Sequence, residues 1–158
     1  MEKSDSAMKT GISEITGKIV RVRHANEQDL FFIEEMLKAH GMPAEKLDFT
    51  EFVIAAENDV PIGCGRIRTT KGLNEISCVE VVKEQIGNGV DSLMVEHLLE
   101  FAPMERVYAV TDHVEPYKRL GFREVRKPGG PLDQEVEKVC RLPKGKERAM
   151  IYEKKGSA

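Results

Sequence analysis

Residues 75–102, EISCVEVVKEQIGNGVDSLMVEHLLEFA, constrain the chain most, because three patterns follow one another without a break. The first, with Ile76, Cys78, Val79, Val81 and Val82, has the β-branched, apolar density of a mostly buried strand. The last starts at Gly89: Leu93, Met94, Leu98 and Leu99 recur at helical spacing, with Phe101 beyond, while Asp91, Glu96, His97 and Glu100 supply a polar face. Between them stand Gly87 and Gly89. Neither has a Cβ, so backbone N–H groups at the helix start can come close to an anion, toward which the positive end of the helix dipole points. The stretch therefore predicts a strand, a turn of diphosphate size and a helix as one unit. Two glycines at such a turn also suit a plain tight connection, so the turn alone does not choose between the two.

The rest of the chain supplies the context. Residues 1–17 are polar, without firm periodicity, and read as a flexible leader. Lys18 to His24, KIVRVRH, alternates as a half-buried strand, and Asn26 with Asp29 has the form of a helix cap with an acid in the first turn. A helix is expected from Glu27 to Ala39, with Leu30, Ile33, Met36 and Leu37 facing a core and Gly41 and Pro43 ending it. Two apolar runs, Glu51–Glu57 and Ile62–Thr69, flank the turn formers Asn58-Asp59-Val60-Pro61 and should pair as a hairpin. Gly63 and Gly65, in the second run, predict a bulge or a close backbone approach. A third strand runs from about Leu73 to Val82. Beyond the central helix, Arg106–Thr111 reads as a strand, 113–120 as a brief helix, FREV as a strand start, Asp133–Cys140 as a short helix and Glu147–Glu153 as a last strand.

At 158 residues with 41% hydrophobic content, the chain suits one α/β domain with a sizeable core, here residues 18–155. A formal net charge of −3 argues against a nucleic-acid partner. The locally basic end, with six Lys or Arg against two Glu from Arg141 to Ala158, reads as a solvated face. No apolar run approaches the roughly 20 residues that span a bilayer, and MEKSDSAMKT lacks a secretory apolar core, so no membrane partner and a cytoplasmic location are expected. Cys64, Cys78 and Cys140 are odd in number and read as reduced thiols in or near the core; without a Cys/His cluster no metal is expected.

Three motifs resemble those of the GNAT (GCN5-related) N-acetyltransferase superfamily. The Tyr117-Lys118-Arg119-Leu120-Gly121-Phe122 run matches the family's Y-x-x-L-G-F in full. Arg23, Ala25, Asp29 and Leu30 match R-x-A-x-x-x-D-L at the domain start. The turn resembles Q/R-x-x-G-x-G/A, with Gly89 matching, Ile86 standing where Gln or Arg is usual and Asp91 where Gly or Ala is usual. The strand EISCVEV is similar to that of the acetyltransferase domains of bacterial N-acetylglutamate synthases.

The resemblance implies a fold of α/β (α+β) class, with a mixed, mostly antiparallel central sheet flanked by helices. It implies acetyl-CoA as co-substrate and a small-molecule primary amine, an amino acid among the candidates, as acceptor; a homodimer stays open. Ile86, Gly87, Asn88, Gly89, Val90, Asp91 and Ser92 would cradle the diphosphate, and the main chain of Val79 and Val81 would bond pantetheine and the acetyl carbonyl. Such a transfer needs a base for the amine, a stabilised oxyanion and an acid for the thiolate. The resemblance assigns Glu75 as base and Tyr117 as acid. Glu80 is the second strand carboxylate, placed by alternation on the face opposite Glu75. Each also has a plain reading, as a solvated or ion-paired carboxylate or a packed ring. His24 and His113 read as structural or exposed, and Cys78 as an inert thiol. The alternative function is a GNAT-like domain that binds an acyl-CoA without turning it over, kept open by Ile86 and Asp91.

Overall fold

The computed structural model describes residues 12–15, 17–70, 73–102, 105–125 and 146–154. The helix expected at Asp133–Cys140, and Cys140 with it, lie outside those residues. Among the described residues eleven regular elements follow in order: β1 (Ile12–Ile15), β2 (Lys18–His24), α1 (Leu30–Ala39), β3 (Phe52–Glu57), β4 (Val60–Thr70), β5 (Leu73–Val81), α2 (Val90–Phe101), β6 (Arg106–Thr111), α3 (Val114–Arg119), β7 (Arg123–Glu124) and β8 (Arg148–Glu153). The eight strands are hydrogen-bonded in the order β1-β2-β3-β4-β5-β6-β8-β7. Strands β5 and β6 run parallel, whereas β1–β2, β2–β3, β3–β4, β6–β8 and β7–β8 run antiparallel. Contacts divide the chain into two compact units, Met1–Arg66 with Cys78–Glu100, and Ile67–Ser77 with Phe101–Ala158.

In the first unit the alternation of KIVRVRH buries Val20 and Val22 and leaves Ile19 and Arg21 exposed. Part of the segment expected to be a leader departs from that reading. Residues 12–15 form β1, paired to β2 through Ile15↔Lys18, with Gly17 at φ +80 allowing the reversal. A four-residue strand stabilised by its hairpin partner carries too short a pattern to be seen alone.

The predicted cap is present in full. Asn26 accepts from the Gln28 N–H at 2.9 Å and donates its own N–H to Asp29 at 2.8 Å, a capping box. Arg23 donates to both Asp29 oxygens, at 2.7 and 3.0 Å. These bonds hold the buried Asp29 carboxyl below the usual carboxylate range. A 3-10 turn, Glu27–Asp29, leads into α1, whose Ile33, Met36 and Leu37 join Ala25, Phe52, Ile54 and Cys64 in one buried cluster. The helix ends in a Schellman motif: Gly41, at φ +70, donates to Lys38 O, and Met42 to Leu37 O.

The hairpin between β3 and β4 turns through Asn58 and Asp59, both at positive φ (50 and 65), as a two-residue primed turn requires. Pairing shifts between Ala55 and Ala56, leaving Ile62 as the extra residue of a bulge. Both readings of Gly63 and Gly65 are realised, a bulge beside them and a close approach upon them. A Cβ on Gly63 would meet Met94 Cε at 2.9 Å and Glu80 O at 3.0 Å; one on Gly65 would meet Leu98 Cδ1 at 3.3 Å. The absence of side chains there lets α2 lie down on β4.

The second unit is built on β6, whose Val107, Tyr108 and Ala109 are buried. The start of β5 pairs with it in parallel, Asn74↔Val107 to Ile76↔Ala109. Strand β8 pairs with its other edge, from Arg106↔Glu153 to Thr111↔Arg148, and β7 adds to β8, as FREV beside the last strand predicted. Helix α3 ends as the Y-x-x-L-G-F pattern implies. Gly121, at φ +105, donates to Lys118 O and Phe122 to Tyr117 O, a second Schellman motif. The Phe122 ring is buried, edge-on to Tyr117 at 5.1 Å between centroids and 5.4 Å from Tyr152.

Candidate functional site: a glycine turn and a carboxylate–imidazole pair

Between β5 and α2 the backbone makes a 3-10 turn over Lys83–Gln85 and then passes through Gly87 and Gly89, both at φ +86. An L side chain at either position would sit in the left-handed region at a cost of about 1–2 kcal/mol. The turn is tied by Gln85 N–H to Val82 O (2.9 Å), Asn88 N–H to Gln85 O (3.2 Å) and Asn88 Nδ2 to Gln85 Oε1 (3.1 Å). Ile86 projects outward, 62% exposed. A Cβ built on Gly87 or Gly89 meets nothing within 4 Å, so the space over both glycines is open. The first N–H groups of α2 have no intrahelical partner and carry the positive end of the helix dipole. The stretch thus has the shape and polarity of an anion cradle.

Asp91 modifies that cradle. Its Oδ1 accepts from the Ser92 N–H at 2.8 Å, so the carboxylate already occupies one of the amides that an incoming anion would use. Val90 is buried and anchors the helix start, whereas Asn88 and Ser92 are half-buried at the turn.

The strand leading into the turn sorts its side chains by parity. Val79 Cγ2 and Val81 Cγ1 lie within 3.5 and 3.2 Å of the Cβ positions of Gly65 and Gly63, on the side where Leu98 and Met94 of α2 pack. Cys78 and Val82 pack against the α1 cluster. Glu80, between them in parity, meets α1 as well: its Oε1 lies 3.5 Å from His40 Nε2. His40 is the C-cap of α1, and its Nδ1 lies 2.9 Å from Met36 O. A carbonyl only accepts, so Nδ1 carries a hydrogen and Nε2 is the nitrogen that faces the carboxylate. The pair is half open to water, with the side chains 36% (His40) and 19% (Glu80) exposed.

Sequence reasoning passed over His40. A histidine after a helix carries no signal until the fold brings a carboxylate 40 positions away to it. The alternation that placed Glu80 opposite Glu75 runs across an irregular residue. Cys78, a non-glycine residue, has φ +55, which breaks the regular two-residue repeat of β5, so parity cannot be carried across it. Cys64 donates to Cys78 O at 3.7 Å, and burial pushes its thiol up to about 12.

Glu75 and Tyr117 belong to the second unit. Glu75 is half-buried and stands opposite Tyr108 in the β5–β6 register; Tyr117 is buried on α3. Of the histidines, His113 is exposed beside Asp112 at 3.5 Å. His97, expected on the polar face of α2, is instead buried, its ring 5.9 Å from that of His24. Burial, and then His24, hold it below the usual imidazole range. Among the described residues no group of three or more His, Cys, Asp or Glu is placed to hold a metal ion. Among the same residues no helix is long and apolar enough to cross a membrane.

The topology and this strand–turn–helix unit are those of the GNAT N-acetyltransferase fold. No family profile matches the sequence and no curated protein matches it; the fold is established by solved structures. The Rv2747 protein of Mycobacterium tuberculosis, in complex with CoA, is 21% identical over 84% of this chain and 98% of that one, with a TM-score of 0.67. N-acetylglutamate synthase from Neisseria gonorrhoeae, complexed with coenzyme A and N-acetyl-glutamate, is 18% identical with a TM-score of 0.65. That match covers 85% of this chain and 35% of the synthase, so this chain spans about a third of the synthase's length. A GCN5-related N-acetyltransferase from Kribbella flavida is 19% identical over 66% of this chain and 33% of that one, with a TM-score of 0.57.

Proposed function

We propose that the protein transfers the acetyl group of acetyl-CoA to a primary amine of a small molecule, an amino acid among the candidates. The observation that carries this reading is the turn at Gly87–Gly89: two left-handed glycines with open space above them, at the start of α2, on a fold whose solved relatives hold CoA. Acetyl-CoA acts as co-substrate. Residues 86–92 take its diphosphate, and the main chain of Val79 and Val81 takes pantetheine and the acetyl carbonyl. Tyr117 donates a proton to the departing thiolate, a role that suits a neutral phenol. A strand carboxylate removes a proton from the amine, Glu75 by resemblance. The transfer proceeds by direct attack, without an acyl-enzyme.

A thermal-shift titration tests the cradle. Saturation at a hundred times Kd stabilises a protein by about 2.7 kcal/mol, so CoA and acetyl-CoA should raise the midpoint, and no shift up to millimolar concentration would sink the proposal. A thiol-release assay over an amine panel then tests transfer. Tyr117→Phe should lower kcat, and undiminished activity would remove Tyr117 from the acid role.

A second reading, an acyl-CoA binder without turnover, draws on one observation: Asp91 competes for the Ser92 N–H. Asp91→Ala should tighten CoA binding under either reading. Only the binder reading predicts that no amine in the panel yields free thiol.

A further inference from the structure

We infer that Glu80 and His40 together form the proton acceptor for the attacking amine, with Glu80 as the base and His40 as its positioning residue. The inference rests on the acetyl-transfer reading and moves the base from Glu75 to the next carboxylate of β5.

Three observations support it. First, His40 is held from two directions: its backbone is the C-cap of a Schellman-terminated helix, and its Nδ1–H donates to Met36 O at 2.9 Å. The imidazole therefore presents Nε2 outward in a fixed direction, toward Glu80 Oε1 at 3.5 Å. Second, this arrangement has room for one more proton. With Nδ1 already protonated, a proton arriving on the pair lies between the Nε2 lone pair and the carboxylate, whichever atom holds it. Third, Glu80 sits between Val79 and Val81, the residues whose main chain is assigned to the thioester. Their side chains point to α2 and that of Glu80 to α1. The carboxylate thus flanks the reacting group without competing with the packing that holds the strand, and both side chains are part-exposed, so an amine can reach them.

The proton balance follows. Glu80 takes one proton from the ammonium form, and the freed lone pair forms a C–N bond to the thioester carbonyl carbon. The oxyanion then collapses and the C–S bond breaks. The second proton leaving nitrogen ends on the CoA sulfur, while the first stays on the Glu80–His40 pair and departs to water from the exposed imidazole. The sum is ammonium plus thioester giving amide, thiol and one released proton.

The test uses the full chain, acetyl-CoA and a panel of the twenty amino acids, with thiol release and CoA thermal shift measured together. Expected are a fall in kcat of about 100-fold or more for Glu80→Gln, within the range for losing a general base, and a larger fall than for Glu75→Gln. KM for acetyl-CoA and the CoA shift should stay as in the wild type. His40→Ala should lower kcat by about tenfold with KM unchanged, and His40→Gln, whose amide can donate to Glu80 as the protonated imidazole would, should recover part of it. If Glu80→Gln does not fold, Glu80→Asp replaces it and should fall between wild type and the His40→Ala level. Wild-type kcat in Glu80→Gln, or a loss confined to Glu75→Gln, would overturn this assignment while leaving acetyl transfer standing. A wild type that binds no CoA, or binds it and acetylates no amine, would overturn acetyl transfer and this assignment together.

Discussion

Adding one methyl group to Gly63 should cost far more than adding one to Gly65, although both are glycines of the same strand. At Gly63 the new Cβ meets three atoms: Met94 Cε at 2.9 Å, Glu80 O at 3.0 Å and Val81 Cγ1 at 3.2 Å. The methionine can swing away, since its thioether arm has three rotatable bonds. The carbonyl of Glu80 cannot, because it belongs to the neighbouring strand, and favourable carbon contacts begin near 3.5 Å. β4 and β5 must then part by several tenths of an ångström in the interior of the sheet. Overpacking of this kind costs about 2 kcal/mol, which for a chain of this size lowers the midpoint by about 4–8 °C. At Gly65 the nearest atoms are side-chain ends, Leu98 Cδ1 at 3.3 Å and Val79 Cγ2 at 3.5 Å, and the loss should stay below about 1 kcal/mol. Urea and thermal unfolding of Gly63→Ala, Gly65→Ala and wild type, followed by circular dichroism, measure the difference. Equal stability of the two variants within about 0.5 kcal/mol would refute the reasoning from backbone contact.

Four further outcomes follow from separate sites. Asp29→Asn should destabilise by about 2 kcal/mol, the scale of hydrogen bonds to a charged group, read by urea unfolding. Because Asp29 is held below its unfolded range, its contribution is complete above about pH 4 and lost as pH falls further; the variant's stability curve should lack that acid limb. His97 is held below the ordinary imidazole range, so the unfolded chain binds the extra proton first and stability should fall as pH drops below about 6.5. His97→Leu should flatten that slope in pH-dependent melting. Cys64, buried and pushed up to about 12, should resist iodoacetamide in the native protein and react only on unfolding, as mass spectrometry of the alkylated peptide would report. Gly89→Ala should cost about 1–2 kcal/mol in the same unfolding assay through its φ of +86 alone, since its Cβ meets no atom.

Much of the fold was legible in the residues. The strands at Lys18–His24 and Arg106–Thr111 have the predicted bounds, because alternation or apolar density there is unbroken and turn formers bracket it. The ends of α1 and α3 were marked by Gly41 and Gly121, whose left-handed φ only glycine adopts freely. What escaped depends on partners distant in sequence. β1 forms because β2 is beside it. His97 reads as a polar-face residue until packing turns that side of α2 inward. His40 is a plain helix-end residue until the fold brings Glu80 to 3.5 Å from it, and Cys78 carries no composition signal that would announce a positive φ in a strand. The glycine turn at 87–89 was visible throughout, whereas the Asp91–Ser92 bond that qualifies it was not.

The hairpin between β3 and β4 limits what this chain can become. Asn58 and Asp59 set the length of the turn, and the bulge at Ile62 sets which residues of β4 look at α2. From there Ile62 O accepts the Val82 N–H at 2.8 Å, fastening the entrance of the glycine turn to the same bulge. A deletion of one residue between Asn58 and Ile62 would close this bulge, drawing Ile62 into the ladder with β3 and moving the Val82 anchor, while β4 stays in register from Gly63 on. Relatives of this chain should therefore keep the number of residues in this hairpin, a length constraint that reaches the glycine turn more than twenty positions downstream.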